Sequence, residues 1–404
     1  MTALSDHATR TAQAVSRLGS EKAFDVLSRG RELQAQGRDI VHLEVGEPDF
    51  DTPAHVKAAG IAAIEQNLTH YSPSAGIPEL RDTIAAYAAR FRGIEPFERE
   101  NVVVAPGGKP VIWNILSSLL SPGDDMVYAD PAYPAYASCA GYLGANAVAV
   151  PLLENKNWRL DLDDLAAKIT ARTKLIVINS PHNPTGGVLT RDDLQTIATL
   201  AHEHDVLVLS DEIYSRNLYG SEFLSIAALP GMRERTIIVD GFSKAYAMTG
   251  WRLGYAVLPK ALARSVALFA NNTYSCVPAF VQKAGVAALE GSDESVVTMN
   301  ELFRVRRDAI VSGLNAIPNV SCTIPEGAFY AFPNISQITS DDQALASFLL
   351  EEAGVAVLGG SSFGEAGRGY LRFSYAASLD TIERAIERLH TYLPQFRDKA
   401  ATAR

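Results

Sequence analysis

The sequence predicts an α/β fold: a mainly parallel sheet flanked by helices, beside a smaller α+β domain. Two observations carry this. From about residue 100, short runs of Val, Ile and Leu alternate with stretches of helical period, and the pattern changes near residue 295. The length agrees, since 404 residues exceed one small core and suit a large domain with a companion.

Asn101–Ala105, Met126–Tyr128, Lys174–Ile178, Val206–Leu209 and Thr236–Val239 are short apolar runs bounded by turn residues, the pattern of strands covered on both faces. Between them, Asp161–Ala171 and Thr190–His204 read as amphipathic helices capped at their first residues. Strand–helix alternation makes the sheet parallel and puts ligands beyond the carboxyl ends of its strands. The uncharged stretch Ala132–Leu153 is broken by Pro134, Asn146, Pro151 and glycines, so it reads as a buried helix–loop–strand and not as a membrane span. Residues 295–404 open with the helix Met299–Leu314. Strand-like pieces follow at Ala328–Phe332, Val355–Val357 and Tyr370–Ser374, then a final helix at Leu379–Tyr392. The helix Ala23–Gln36 lies outside the alternating region.

Composition narrows the function classes. Apolar residues at 47% and charged residues at 20% describe a globular chain, and a formal charge of −10 offers no basic face to nucleic acid or to an anionic membrane. Cys139, Cys276 and Cys322 are scattered and form no metal-binding or disulfide pattern, so no metal is expected. The first ten residues hold no apolar leader, and a cytoplasmic location is expected.

The chemistry gathers after the strands. Asp240-Gly-Phe-Ser-Lys-Ala-Tyr-Ala-Met-Thr-Gly-Trp-Arg252 places Lys244 after a hydroxyl, Ser243, and eight residues before Arg252. One use fits all three: the amine forms a Schiff base with an aldehyde cofactor whose phosphate the hydroxyl and guanidinium hold, which describes pyridoxal 5′-phosphate. That cofactor wants a carboxylate at its pyridine nitrogen, and Asp211 stands just past a strand of Val and Leu. Its phenolic oxygen could meet Tyr214 or Asn183, although a packing tyrosine and a turn-supporting asparagine are the plainer readings. Gly107 and Gly108 open a helix, Val111–Leu120, where a phosphate can sit. Tyr133 either stacks on the ring or supports a turn. Arg372 either meets a substrate carboxylate or lies exposed on a strand edge.

Val45-Gly-Glu-Pro-Asp-Phe50, Tyr71-Ser-Pro-Ser-Ala-Gly76, Gly107-Gly-Lys109, Asn183-Pro-Thr-Gly186, Asp211-Glu-Ile-Tyr214, Ser243-Lys244, Gly250-Trp-Arg-Leu-Gly254 and Tyr370-Leu-Arg372 together resemble the class I/II aminotransferases of fold type I. The likeness covers nearly the whole chain. It implies a sheet of seven-stranded type, a large cofactor-binding domain at 51–294, and a small domain from 1–50 plus 295–404. It implies Lys244 as Schiff-base lysine and proton shuttle. Asp211 falls on the pyridine nitrogen, Asn183 and Tyr214 on the phenolic oxygen, and Tyr133 on the ring. Gly107, Gly108, Ser243 and Arg252 fall at the phosphate, with Lys109 beside them. Arg372 and Asn183 fall at the substrate carboxylate, and Gly46 lets its backbone approach the substrate. Members similar to bacterial aspartate and prephenate aminotransferases set the lysine matching Lys109 against a distal substrate carboxylate, but here Pro110 follows it where many have glutamine. The resemblance also implies a homodimer in which Tyr71 reaches the phosphate of the partner subunit's cofactor. The expected reaction is ping-pong transfer of an amino group between an L-amino acid and a 2-oxo acid. The same scaffold hosts lyases and cyclases, so such a biosynthetic reaction is the alternative.

Overall fold

Val102–Ala105, Thr173–Asn179, Leu207–Asp211 and Thr236–Gly241 run in one direction through a single sheet, with their carboxyl ends along one rim. The computed structural model describes residues 11–220 and 222–402; the first ten residues, read above for a leader, lie outside them. The sheet has eight strands, in the order Val102–Ala105, Gly254–Val257, Thr236–Gly241, Leu207–Asp211, Thr173–Asn179, Asp125–Asp130, Asn146–Leu153 and Arg159–Leu160. Seven form the expected sheet, and the eighth is a two-residue edge strand paired antiparallel with its neighbour. Gly254–Val257, which sequence periodicity did not single out, runs antiparallel between two parallel neighbours.

Burial explains the strands. Val102, Val103, Val104 and Ala105 are all enclosed, as are Val208 and Leu209. Each such Val or Leu contributes about 1.5–3 kcal/mol by leaving water. Helices pack on both faces, and two start where the sequence says. Asp161 Oδ1 accepts from Asp164 N at 3.2 Å, and Thr190 shares a reciprocal capping box with Asp193. The uncharged stretch becomes the helix Ala135–Leu143 and the strand Asn146–Leu153. Among the described residues no helix is long and apolar enough to cross a membrane.

The carboxyl-terminal region builds a separate core from Met299, Phe303, Phe329, Leu349, Phe373 and Leu389, joined by Val41 and Leu43. Its strands are shorter than their periodicity suggests: Tyr330–Ala331, Val355–Ala356, Leu358–Gly359 and Leu371–Ser374. Val41–His42 pairs parallel with Val355–Ala356, which ties the amino-terminal stretch to this core. The final helix runs on from Leu379 to Thr402.

Candidate active site

A cavity of about 470 Å3 opens at the carboxyl rim of the large sheet, where the carboxyl-terminal core leans against it. Its lining includes Gly46, Gly108, Lys109, Tyr133, Asn183, Asp211, Tyr214, Ser243, Lys244, Arg252 and Arg372, so the strand-end loops and the second core bring almost all the expected residues together.

Asp211 is the last residue of its strand and is buried. Asn179, which ends the neighbouring strand, donates from Nδ2 to the Asp211 carbonyl at 2.9 Å and accepts Asn183 N–H on Oδ1 at 2.9 Å. One asparagine therefore ties the backbone at Asp211 to the turn that presents Asn183. Burial raises the Asp211 pKa to about 6, against a hydrogen bond from Tyr136 Oη at 2.6 Å and one from Ile213 N–H at 3.2 Å that favour the ion. No lysine or arginine pairs with Asp211 among the described residues.

Lys244 donates to the Gly46 carbonyl. Desolvation lowers its pKa to about 8, so a useful fraction of the amine is unprotonated near neutrality. Gly46 sits there because nothing larger fits: a Cβ on it would fall on the Tyr330 hydroxyl. That hydroxyl shares a 2.6 Å hydrogen bond with Tyr214 Oη.

Arg372 is not on a strand edge. Leu371–Ser374 is the middle strand of its three-stranded sheet, and the arginine is buried, 4% exposed. It donates to the Glu44 carbonyl and, at 3.3 Å, to Asn183 Oδ1, and its guanidinium lies 4.6 Å from the Tyr330 ring centre. Its Nε has no partner, and desolvation works against its charge. An arginine in this state favours an incoming carboxylate.

Gly107, at φ +103°, caps the helix Gly108–Leu119, and a Cβ on it would strike the Arg252 guanidinium. A Cβ on Gly254 would come 2.7 Å from the Gly107 carbonyl carbon. These glycines bring the Arg252 fork against a helix start whose Gly108 faces open space. Tyr133 packs edge-on to Tyr136 at 5.7 Å. Lys109 pairs with Glu21. Tyr71 is 92% exposed and does not line this cavity. His182 is buried on Thr185 Oγ1 at 2.9 Å, with its pKa pushed down to about 3 by burial, and it too stays outside.

Tyr136, Tyr330, Asn179 and Glu21 were not among the sequence candidates. Tyr136 lies three residues after Tyr133, and Asn179 three before His182, yet nothing in an isolated tyrosine or turn asparagine distinguishes a partner from a packing residue. Glu21 carries no local signal.

An enclosed lysine, an uncompensated carboxylate, a free arginine face and an anion cradle on this sheet define an enzyme that works on small amino and carboxylate compounds. The sequence model of the family Aminotransferase class I and II matches residues 38–389, and the chain belongs to that family. It is 40% identical over 367 residues to the aspartate aminotransferase of Pyrococcus abyssi, covering 90% of this chain and 94% of that one. It is 38% identical over 367 residues to aromatic-amino-acid aminotransferase 2 of Thermococcus litoralis, covering 89% and 94%. Among solved structures, Thermus thermophilus aspartate aminotransferase with maleate superposes with a TM-score of 0.91 at 37% identity, over 94% of this chain and 99% of that one. The chain is an aminotransferase, and the lyase or cyclase alternative is not favoured.

Proposed function

We propose that the enzyme transfers amino groups with pyridoxal 5′-phosphate held in this cavity, and that it works as a cytoplasmic homodimer. The observation that carries the cofactor reading is Asp211, a buried carboxylate with no cation of its own, facing the same cavity as Lys244 and Arg372. A protonated pyridine nitrogen is the partner such a carboxylate lacks. The open helix start at Gly108 and the Arg252 fork suit the phosphate, with Gly107 and Ser243 around it. When bound, the cofactor supplies an aldehyde that receives the amino group and a ring that spreads charge from the substrate Cα.

The chain's own groups do the rest. Arg372 would bind the α-carboxylate, and Asn183, which accepts from Arg372 on Oδ1, would donate from Nδ2 to the cofactor's phenolic oxygen, with Tyr214 beside it. Lys244, with its lowered pKa, would take the Cα proton and return it on the cofactor's side of the transferring nitrogen. Gly46 keeps the backbone close to the substrate, and Tyr133 covers the ring. Tyr71, exposed on its own chain, is suited to reach the phosphate site of a second copy. Residues 51–294 form the cofactor-binding domain, and 1–50 plus 295–404 form the small domain. The core that joins Val41 and Leu43 to residues 299–393 supports that division. The free thiols of Cys139, Cys276 and Cys322 suit a reducing compartment.

Relatives named for aspartate and for aromatic amino acids leave the donor open. The test is stoichiometry. Given an amino donor alone, the loaded enzyme should release one 2-oxo acid per site and stop, then cycle when an acceptor 2-oxo acid is added. Continuous release without acceptor would refute amino transfer.

A further inference from the structure

One ion pair in the cavity has no part in the chemistry above. Glu21 and Lys109 both line it and contact each other, and the Lys109 ammonium lies 5.9 Å from the Tyr133 ring centre. The Glu21 charge is felt at Tyr133, Arg372, Tyr330 and Lys244. It is held there by its approach. Arg17 donates to the carbonyls of Gly141 at 2.6 Å and Tyr142 at 3.0 Å, and Gly19 N–H donates to Ser138 Oγ at 2.9 Å. The helix Lys22–Ala35 begins directly after. The carboxylate is thus part of the wall.

A charge census of the cavity gives this pair meaning. Lys244, Asp211 and Arg252 serve the cofactor, and Arg372 takes the α-carboxylate. What remains for the substrate's side chain is Glu21, Lys109 and Glu47, with Glu47 bonded to Thr249, among apolar Ala23, Phe24, Val45 and Ile112. Two carboxylates face one cation, and that cation already has a partner. Among the described residues of this chain, an acidic side chain entering here meets two like charges and one cation already paired with Glu21. A basic one meets Lys109.

We propose that Glu21 turns this enzyme away from acidic donors, so that its preferred substrates are amino acids with uncharged side chains. The pair is half-exposed, with 49% of the Lys109 side chain and 28% of the Glu21 side chain open to solvent. Its effect is therefore selective and adds little to stability. The proposal rests on the amino-transfer reading.

The experiment is steady-state kinetics of the cofactor-loaded enzyme with leucine, phenylalanine, aspartate and lysine as donors and pyruvate as acceptor. Wild type should show higher kcat/KM for leucine or phenylalanine than for aspartate or lysine. In Glu21→Gln, the ratio of kcat/KM for aspartate over leucine should rise at least about fivefold, as an ammonium freed to meet the incoming carboxylate predicts. Glu21→Gln with Lys109→Gln should lose that gain, because the freed ammonium produces it. A smaller rise, a gain that survives the double substitution, or a wild type that prefers aspartate or lysine overturns the proposal. A wild type that turns over no donor instead removes the amino-transfer reading, and the two failures are told apart by that result alone.

Discussion

Tyr136 donates a 2.6 Å hydrogen bond to Asp211, and both side chains are buried. The bond opposes the larger effect at this carboxylate, which is desolvation. A tyrosine in the first turn of the helix Ala135–Leu143 therefore favours the ionised form of the carboxylate that ends the strand Leu207–Asp211.

Tyr136→Phe keeps the ring and removes only that bond. The Asp211 pKa should rise above its present value of about 6. The apparent Kd for pyridoxal 5′-phosphate should rise about tenfold, the usual worth of a hydrogen bond to a charged group. The weakening should be greater at pH 6 than at pH 8, because the carboxyl is then protonated more of the time. Absorbance titration of the apoprotein at both pH values measures this. An unchanged Kd would show that Tyr136 only packs.

Lys244 gives a pH-dependent stability of opposite kind to a salt-bridged lysine. Its pKa is about 8 in the folded protein against an ordinary 10.5, so between these values the unfolded chain binds more protons. Stability of the cofactor-free protein should therefore rise with pH across that window, and the full penalty applies below pH 8. The shift corresponds to at most on the order of 3 kcal/mol, reduced by the opening of Lys244 to the cavity. Lys244→Met should abolish turnover yet raise the Tm of the apoprotein at pH 7 by a few degrees, with the gain shrinking towards pH 10. Thermal melts at the two pH values decide it, and a variant no more stable at pH 7 contradicts the assignment.

Much of this was legible beforehand because it depends on local pattern. Asp211, Asn183 and Lys244 follow apolar runs that read as strands covered on both faces, and Gly107-Gly108 precedes a helical pattern. Arg372 was harder, since one charged residue among Tyr370, Leu371 and Phe373 reads equally as an exposed edge. Only the pairing of Leu371–Ser374 on both sides shows it buried. Tyr136, Tyr330 and Glu21 were illegible for a different reason. Their partners are 75, 116 and 88 residues away, and no period or cap encodes such a meeting.

Gly46 makes two contacts that its place in the sequence did not announce. Its backbone carbonyl accepts from Lys244, but the absent side chain also leaves room for Tyr330 and its bond to Tyr214. Gly46→Ala should displace Tyr330 and cost about 1–3 kcal/mol of stability, as overpacking does. The kcat should fall as well, because the Tyr214–Tyr330 pair moves with it. Urea denaturation and initial rates together check this. Wild-type stability would mean that Tyr330 yields without strain.

Beneath the cavity, Arg92 bridges the ends of the strands Leu207–Asp211 and Thr236–Gly241. Its fully buried guanidinium donates to Glu212 at 2.6 Å and to Asp240 at 2.8 Å. Glu212 follows Asp211, and Asp240 ends the apolar run four residues before Lys244. Ser210 and Ser225 donate to Glu212 at 2.8 and 2.6 Å, and Tyr255 donates to Asp240 at 3.1 Å, so both carboxylates sit in one buried network. Arg92→Met strands two buried anions and should cost about 3–5 kcal/mol. Adding Glu212→Gln and Asp240→Asn removes the stranded charge and should recover most of that loss, since the penalty comes from uncompensated ions more than from a missing bond. Equilibrium unfolding of the single and triple variants distinguishes the cases. If the triple variant is no more stable than Arg92→Met, the arginine acts through packing and not as the counter-charge of these two strands.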